Sequence, residues 1–175
     1  MARPPTRSRD ANLLTPRKPA DSAVETTHLI LPPDTNVHGT AFGGRIMEWM
    51  DVAAGIAAGR HCRRQVVTAA VDDLTFRRPI RLGDLVLFRA AVNWTGRTSL
   101  EVGVRVDREV ATTGEREHCL SAYFTFVCVD EKGEPVPLPP IVPETDAEKR
   151  RYRDAEHRRA QRLGRRAMKD ADREV

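Results

Sequence analysis

Asp51 stands where a carboxylate is costly. Ile46, Met50, Ala53, Ala54 and Ala57 recur at helical spacing and make an apolar stripe. Asp51 falls on the neighbouring stripe, one turn after Met47 and one turn before Gly55. A carboxylate among methionines and alanines is expensive to bury, so either a partner satisfies it or chemistry uses it. Upstream, Asp34-Thr35-Asn36-Val37-His38-Gly39 is a polar loop leading into Gly43-Gly44. Small residues there let a ligand approach the free N–H groups of a helix start. Several other chemistries lack their residues. The chain has no Gly-x-Ser-x-Gly elbow, no phosphate-binding glycine loop and no cysteine with an obvious activating neighbour. His61-Cys62 and the distant His118 do not have the spacing of a metal site.

The elements that must position these residues follow from length and pattern. At 175 residues, 40% hydrophobic and with a mean hydropathy of −0.49, the chain reads as one soluble domain with tails. No apolar run approaches the ~20 residues needed to span a bilayer, and the first twenty residues lack the apolar core of a signal peptide. Cys62, Cys119 and Cys128 are odd in number and read as reduced, buried thiols of a cytoplasmic protein. The net charge of +4 is unevenly spread. Residues 1–20 hold five basic side chains against one acid, and residues 147–175 hold eleven against six, so the body between them is acidic. The basicity belongs to the ends, which weakens any reading as a nucleic-acid-binding domain.

Residues 1–20, rich in proline and arginine, read as a disordered basic tail. A strand over 24–31 is closed by Pro32-Pro33, and a helix runs over 44–60 after opening at Gly43-Gly44. Strands follow over 65–76, 85–94, 99–110 and 117–129, joined by tight turns. In the fourth strand Leu100, Val102, Val104 and Val106 alternate with Glu101, Arg105 and Asp107. Residues 21–143 thus form one α+β domain in which an antiparallel sheet of about five strands wraps a single long helix. Residues 144–175 form a charged C-terminal helix and tail. Thr145 and Glu148 have capping-box spacing, but the thin apolar content predicts loose packing or fraying beyond Gly164. One helix covers only part of such a sheet, so at least a dimer is expected.

Asn36-x-x-Gly39-x-x-x-Gly43-Gly44-x-x-Met47-x-x-Met50-Asp51, the later Gly96-Arg97-Thr98-Ser99 and the run Ala122-Tyr123-Phe124-Thr125-Phe126-Val127 resemble the hot-dog-fold acyl-CoA thioesterases. The resemblance is to the bacterial broad-range and vertebrate cytosolic acyl-CoA hydrolases, and it covers roughly residues 24–145. It implies a helix wrapped by an antiparallel sheet, paired into dimers and often into a hexameric trimer of dimers. It also implies hydrolysis of acyl-CoA, a step of fatty-acid metabolism, at active sites that cross the dimer interface. Asn36 and Asp51 would act together from opposite subunits. No internal repeat is present, so a second half-site must come from another chain.

For such a reaction Asp51 serves as general base for a water or as the attacking nucleophile; the sequence leaves both open. Asn36 orients the water or the carbonyl. The N–H groups of Gly43 and Gly44, at the positive end of the helix dipole, can hold the thioester oxygen. Gly96, Arg97, Thr98 and Ser99 offer a turn, a guanidinium and two hydroxyls to coenzyme A, and Arg77 and Arg78 can also reach its phosphates. Met47, Val52 and Ile56 are placed in the acyl pocket together with the partner subunit. The resemblance calls for no metal and no cofactor, coenzyme A being part of the substrate. The bland readings are a helix acid paired to an arginine, glycines that serve packing and solvated turns. His38 is read as a loop hydrogen-bonder more than a substrate contact. The rival functions are a non-catalytic acyl-CoA-binding regulatory module and a dehydratase of the same fold, which would need His38 as its catalytic histidine.

Overall fold

The computed structural model describes residues 14–171. Its sheet has five antiparallel strands: β1 (Val24–Leu29), β2 (Gln65–Asp72), β3 (Asp84–Thr95), β4 (Ser99–Val110) and β5 (Arg116–Val129), in the order β1-β3-β4-β5-β2. The sheet curls round α1 (Gly43–Cys62), and α2 (Asp146–Ala171) lies against its other face. The sequence-expected α+β architecture is the observed one.

α1 is held by its packing. Ile46, Met50, Ala53, Ala54, Ala57, Ala58, His61 and Cys62 are all buried. The alanines let the backbone come close to Phe88, Leu100, Leu120, Phe124 and Phe126, which belong to the same core. Each such Phe or Leu contributes about 1.5–3 kcal/mol when fully buried, far more than any helix propensity on α1. Leu100, Val102, Val104 and Val106 all face this core, as their alternation predicts. The helix opens at Gly43, with Phe42 as an N-cap that supplies no side-chain bond. It ends at Arg63, whose left-handed φ of 53° closes the last turn through a bond to the Gly59 carbonyl.

Three expectations need correction. The second strand stops at Asp72 rather than running to residue 76, because Asp73 turns into the left-handed region at φ 56°. The N-terminal tail is ordered where it is described. Arg17 bridges to Ile141, its guanidinium donates to the Arg60 carbonyl, and Pro19 is buried in a short 3-10 turn at Pro19–Asp21; residues 1–13 of that tail lie outside the described residues. The C-terminal helix neither frays at Gly164 nor packs loosely. Its capping box forms as expected, Glu148 accepting from the Thr145 N–H while Thr145 accepts from the Glu148 N–H. Beyond that, Arg158 clamps Glu101, and Arg162 and Arg165 both reach Asp72 on β2. Glu101 is therefore not on a solvated face: it is 2% exposed beneath α2 and also accepts from Asn93.

The two sheet edges are β1 and β2. Exposed apolar side chains stand at the β2 edge and on α1: Val71 on the α1 face of β2 and Val67 on its other face, with Val52 and Ile56 one turn apart on α1 and Met47 on a different side of the helix. No helix among the described residues is long and apolar enough to cross a membrane.

Candidate active site

Asp51 sits two turns into α1, half-exposed, beside the buried stripe. It is not locked by an arginine: among the described residues its one hydrogen bond comes from Thr68, whose hydroxyl donates to Asp51 Oδ1 at 2.9 Å. Thr68 lies at a β-bulge. Its neighbour Ala69 is the extra residue between the Thr68↔Phe126 and Ala70↔Thr125 pairs, and such bulges re-aim side chains. Thr68 was not legible as a site residue, since one hydroxyl in the run Val66-Val67-Thr68-Ala69-Ala70-Val71 carries no pattern.

Asn36 occupies the loop that enters α1. Its Oδ1 accepts from the His38 N–H at 2.9 Å, and its Nδ2 donates to Thr40 Oγ1 at 3.0 Å. The amide thus shapes its own loop and keeps a second N–H to offer. The His38 ring is exposed. A further bond from the Phe42 N–H to the Asp34 carbonyl ties this loop to the helix start. There the N–H groups of Gly43 and Gly44 have no acceptor among the described residues, and no acid stands in the first turn to neutralise the dipole. A cleft of about 370 Å³ opens beside them, walled by Thr40, Gly43, Ile46, Phe76, Arg77 and Pro79. A Cβ on Gly43 would come within 3.5 Å of the Phe76 ring at this wall.

The residues singled out by sequence fall into two groups that one chain does not join. Asn36, Gly43, Gly44, Arg77 and Arg78 gather at one end of the sheet. Asp51 lies eight residues beyond Gly43, roughly 12 Å along the helix axis, with Thr68. The Gly96-Arg97-Thr98-Ser99 turn is at the far end. Ser99 pairs with Val127 of β5, and Val127 pairs with Val67, next to Thr68. Arg77 bonds through its backbone to Cys119, eight residues before Val127 on β5, so turn and arginines stand roughly 26 Å apart. Of the arginine pair, Arg78 is engaged by Glu117 at 2.9 Å, whereas Arg77 has no side-chain partner among the described residues. Arg97 is exposed and likewise unpaired there. Met47, Val52 and Ile56 are exposed on the single chain.

The buried thiols are inert. Burial, then the neighbouring Cys128 thiol, drives Cys62 far above the ordinary thiol range, and burial raises Cys119 and Cys128 as well.

One long helix swaddled by a curled antiparallel sheet, with an acid on the helix and amide donors at its start, defines a hot-dog-fold protein. Comparison with known proteins carries this further. Residues 38–115 match the family described as the Thioesterase superfamily. The Bacillus subtilis protein named "Uncharacterized acyl-CoA thioester hydrolase YkhA" is 46% identical over 128 residues, 73% of this chain and 74% of that one. The chain belongs to this family of thioester hydrolases. The cytosolic acyl coenzyme A thioester hydrolase of Rattus norvegicus is 39% identical over 133 residues, and there the match spans 75% of this chain but 35% of the longer relative. Among solved structures, an apo-hexameric acyl-CoA thioesterase superposes with a TM-score of 0.85 at 40% identity, covering 88% of this chain and 99% of that one. The acyl-CoA hydrolase of Staphylococcus aureus, solved with butyryl coenzyme A and coenzyme A, superposes with a TM-score of 0.84 at 34% identity, covering 90% and 96%. Further structures of the Staphylococcus protein carry single replacements by alanine of an aspartate, an asparagine and a threonine.

Proposed function

We propose that the protein hydrolyses acyl-CoA to the free acid and coenzyme A in the cytoplasm, at sites made by two chains. One chain supplies Asp51, Thr68 and the 96–99 turn. The other supplies Asn36, the Gly43 and Gly44 amides and the cleft beside Arg77. The observation that carries this reading is the state of Asp51: a half-exposed carboxylate that, among the described residues, meets no arginine and is held by a threonine hydroxyl. Roughly 12 Å of helix separates it from Gly43 in its own chain, whereas oxyanion donors must lie about 3 Å from the reacting oxygen. The missing donors therefore come from a second copy, docked against α1 and the edge strand β2, where Val52, Ile56 and Val71 stand exposed. In the Staphylococcus hydrolase the replaced asparagine, aspartate and threonine have the spacing of Asn36, Asp51 and Thr68, which supports assigning the three to one site.

At that site Thr68 donates to one oxygen of Asp51, leaving the other free to work. As general base it removes a proton from water, and the hydroxide adds to the thioester carbonyl. As nucleophile it adds to the carbonyl itself, and water then splits the mixed anhydride. Either way negative charge builds on the carbonyl oxygen. The second N–H of Asn36 and the unbonded amides of Gly43 and Gly44 are the donors that can receive it. Collapse expels the coenzyme A thiolate, which takes up a proton. Arg77 and Arg97, with no carboxylate partner among the described residues, are assigned to the phosphates; Arg78 is held by Glu117. Met47, Val52 and Ile56 become acyl-pocket walls once the second copy covers them. We assign the assembly as a dimer of this kind, repeated into a trimer of dimers.

Coenzyme A release measured over a series of acyl chain lengths tests the reading. Turnover that vanishes in Asp51→Ala supports it. Binding of acyl-CoA without turnover in the wild type would instead mark a regulatory module.

A further inference from the structure

The turn assigned above to coenzyme A rests on an aromatic ring. A Cβ built on Gly96 would lie 2.6 Å from Cη2 of Trp94, 3.2 Å from Cζ3 and 3.4 Å from Cζ2. The backbone of Gly96 is not left-handed, so it is the ring and not the chain conformation that excludes a side chain here. Trp94 is itself buried and is fixed from α2. The Arg159 guanidinium carbon lies 5.1 Å from the ring centre, and the Tyr152 side chain of α2 lies beside the indole. The rest of the turn is pinned by backbone: Gly96 N–H to the Ser99 carbonyl at 2.7 Å, Cys128 N–H to Thr98 at 2.9 Å and Leu138 N–H to Arg97 at 3.2 Å. Those bonds fix the chain's path, while the ring sets the height at which Gly96 and the Arg97 backbone ride over the sheet.

We propose that Trp94, flanked by Arg159 and Tyr152 of α2, is a positioning residue for coenzyme A recognition, and that α2 takes part in substrate binding through it. The proposal rests on the assignment of the 96–99 turn to coenzyme A. None of these three side chains touches the thioester; they act through the turn. The effect is thus confined to the nucleotide end of the substrate and is the same for every acyl group.

The test is the kinetics of full-length Arg159→Ala, with Arg158 and its partner Glu101 left in place to keep α2 docked. Two substrates are compared: a butyryl-CoA and a butyryl-N-acetylcysteamine thioester, which has the same reacting bond and no nucleotide. The expected result is a rise in KM for the CoA ester on the order of 3- to 10-fold. Its kcat should stay within about twofold, with the truncated thioester hydrolysed as by the wild type. Arg159→Lys, which keeps a cation over the ring, should recover most of the loss. Equal damage to both substrates would mean a merely structural helix and would overturn the proposal. So would an unchanged KM in Arg159→Ala while Arg97→Ala raises it. If Arg97→Ala itself leaves the KM alone, the turn does not hold coenzyme A and this inference falls with that assignment. A wild type that hydrolyses neither substrate removes the thioesterase reading itself.

Discussion

At the scale of single residues, the site is a study in which polar groups are spoken for. Among the described residues Asp51 has one donor and no cation partner, which under the proposed reaction leaves its carboxylate free to act on a substrate. Asp51→Asn keeps the shape and the Thr68 contact but removes the base; kcat should fall on the order of 100- to 10,000-fold with little change in KM, read in a coenzyme A release assay. Thr68→Val, nearly isosteric, removes only the orienting hydrogen bond and should cost on the order of tenfold in kcat. The types and spacing of Asn36, Gly43, Gly44 and Asp51 were legible in sequence. Thr68 was not, because its role depends on a bulge that no periodicity announces. Nor could sequence separate Arg77 from Arg78, a distinction made by Glu117, 39 residues after Arg78 in the chain. His61 is a residue of a different kind. It is fully buried, its Nε2 sits 2.8 Å from the Pro139 carbonyl, and burial lowers its pKa, with the Pro139 bond opposing and Arg17 assisting. The folded protein therefore keeps this ring neutral while the unfolded chain takes up a proton below its usual value of about 6.5. Its contribution to stability is complete above that pH and is lost as pH falls below it. Thermal melts at pH 7.5 and 5.5 should differ less in His61→Gln than in the wild type; an equal gap would mean that His61 does not titrate on unfolding.

At the scale of elements, strands β3, β4 and β5 were readable because alternation reports which face is buried, and α1 because its apolar stripe is unbroken. α2 was misread. Sequence counts apolar residues, and this helix docks mainly by charge: Arg158 on Glu101, its guanidinium 3.4 Å from the Tyr123 ring centre, then Arg162 and Arg165 on Asp72. The same effect hid Glu101, which looks like the solvent side of an alternating strand until a helix covers it. Such a pair gains little net energy over an apolar substitute, but removing one partner strands a buried charge. Arg158→Ala should therefore destabilise the fold by about 3–5 kcal/mol, whereas the double replacement Arg158→Met with Glu101→Leu should cost much less. Urea unfolding of the two variants checks this. A double variant as weak as the single one would show that the helix is held by something other than that pair.

At the scale of the whole molecule, the proposed reaction requires residues two helical turns apart on one chain to face one thioester. A single chain cannot bend α1 to do it, since the helix is straightened by eight buried side chains along its length. Two chains related by a dyad, as proposed, would do it if their symmetric contact set the loop end of each α1 beside the middle of the other. This arrangement has a consequence that no one-chain site shares. Asn36→Ala and Asp51→Ala are each expected to be inactive as pure proteins, having lost one half of every site. When the two are mixed equally and allowed to exchange subunits, half of the dimers are mixed, and each mixed dimer holds one site with both groups intact and one with neither. Activity should then return to about a quarter of the wild-type value. It should appear with the time course of subunit exchange and fail to appear if the chains are cross-linked before mixing. A site contained in one chain would give no recovery at any ratio, and would send the search for the second donor back to the cleft beside Gly43.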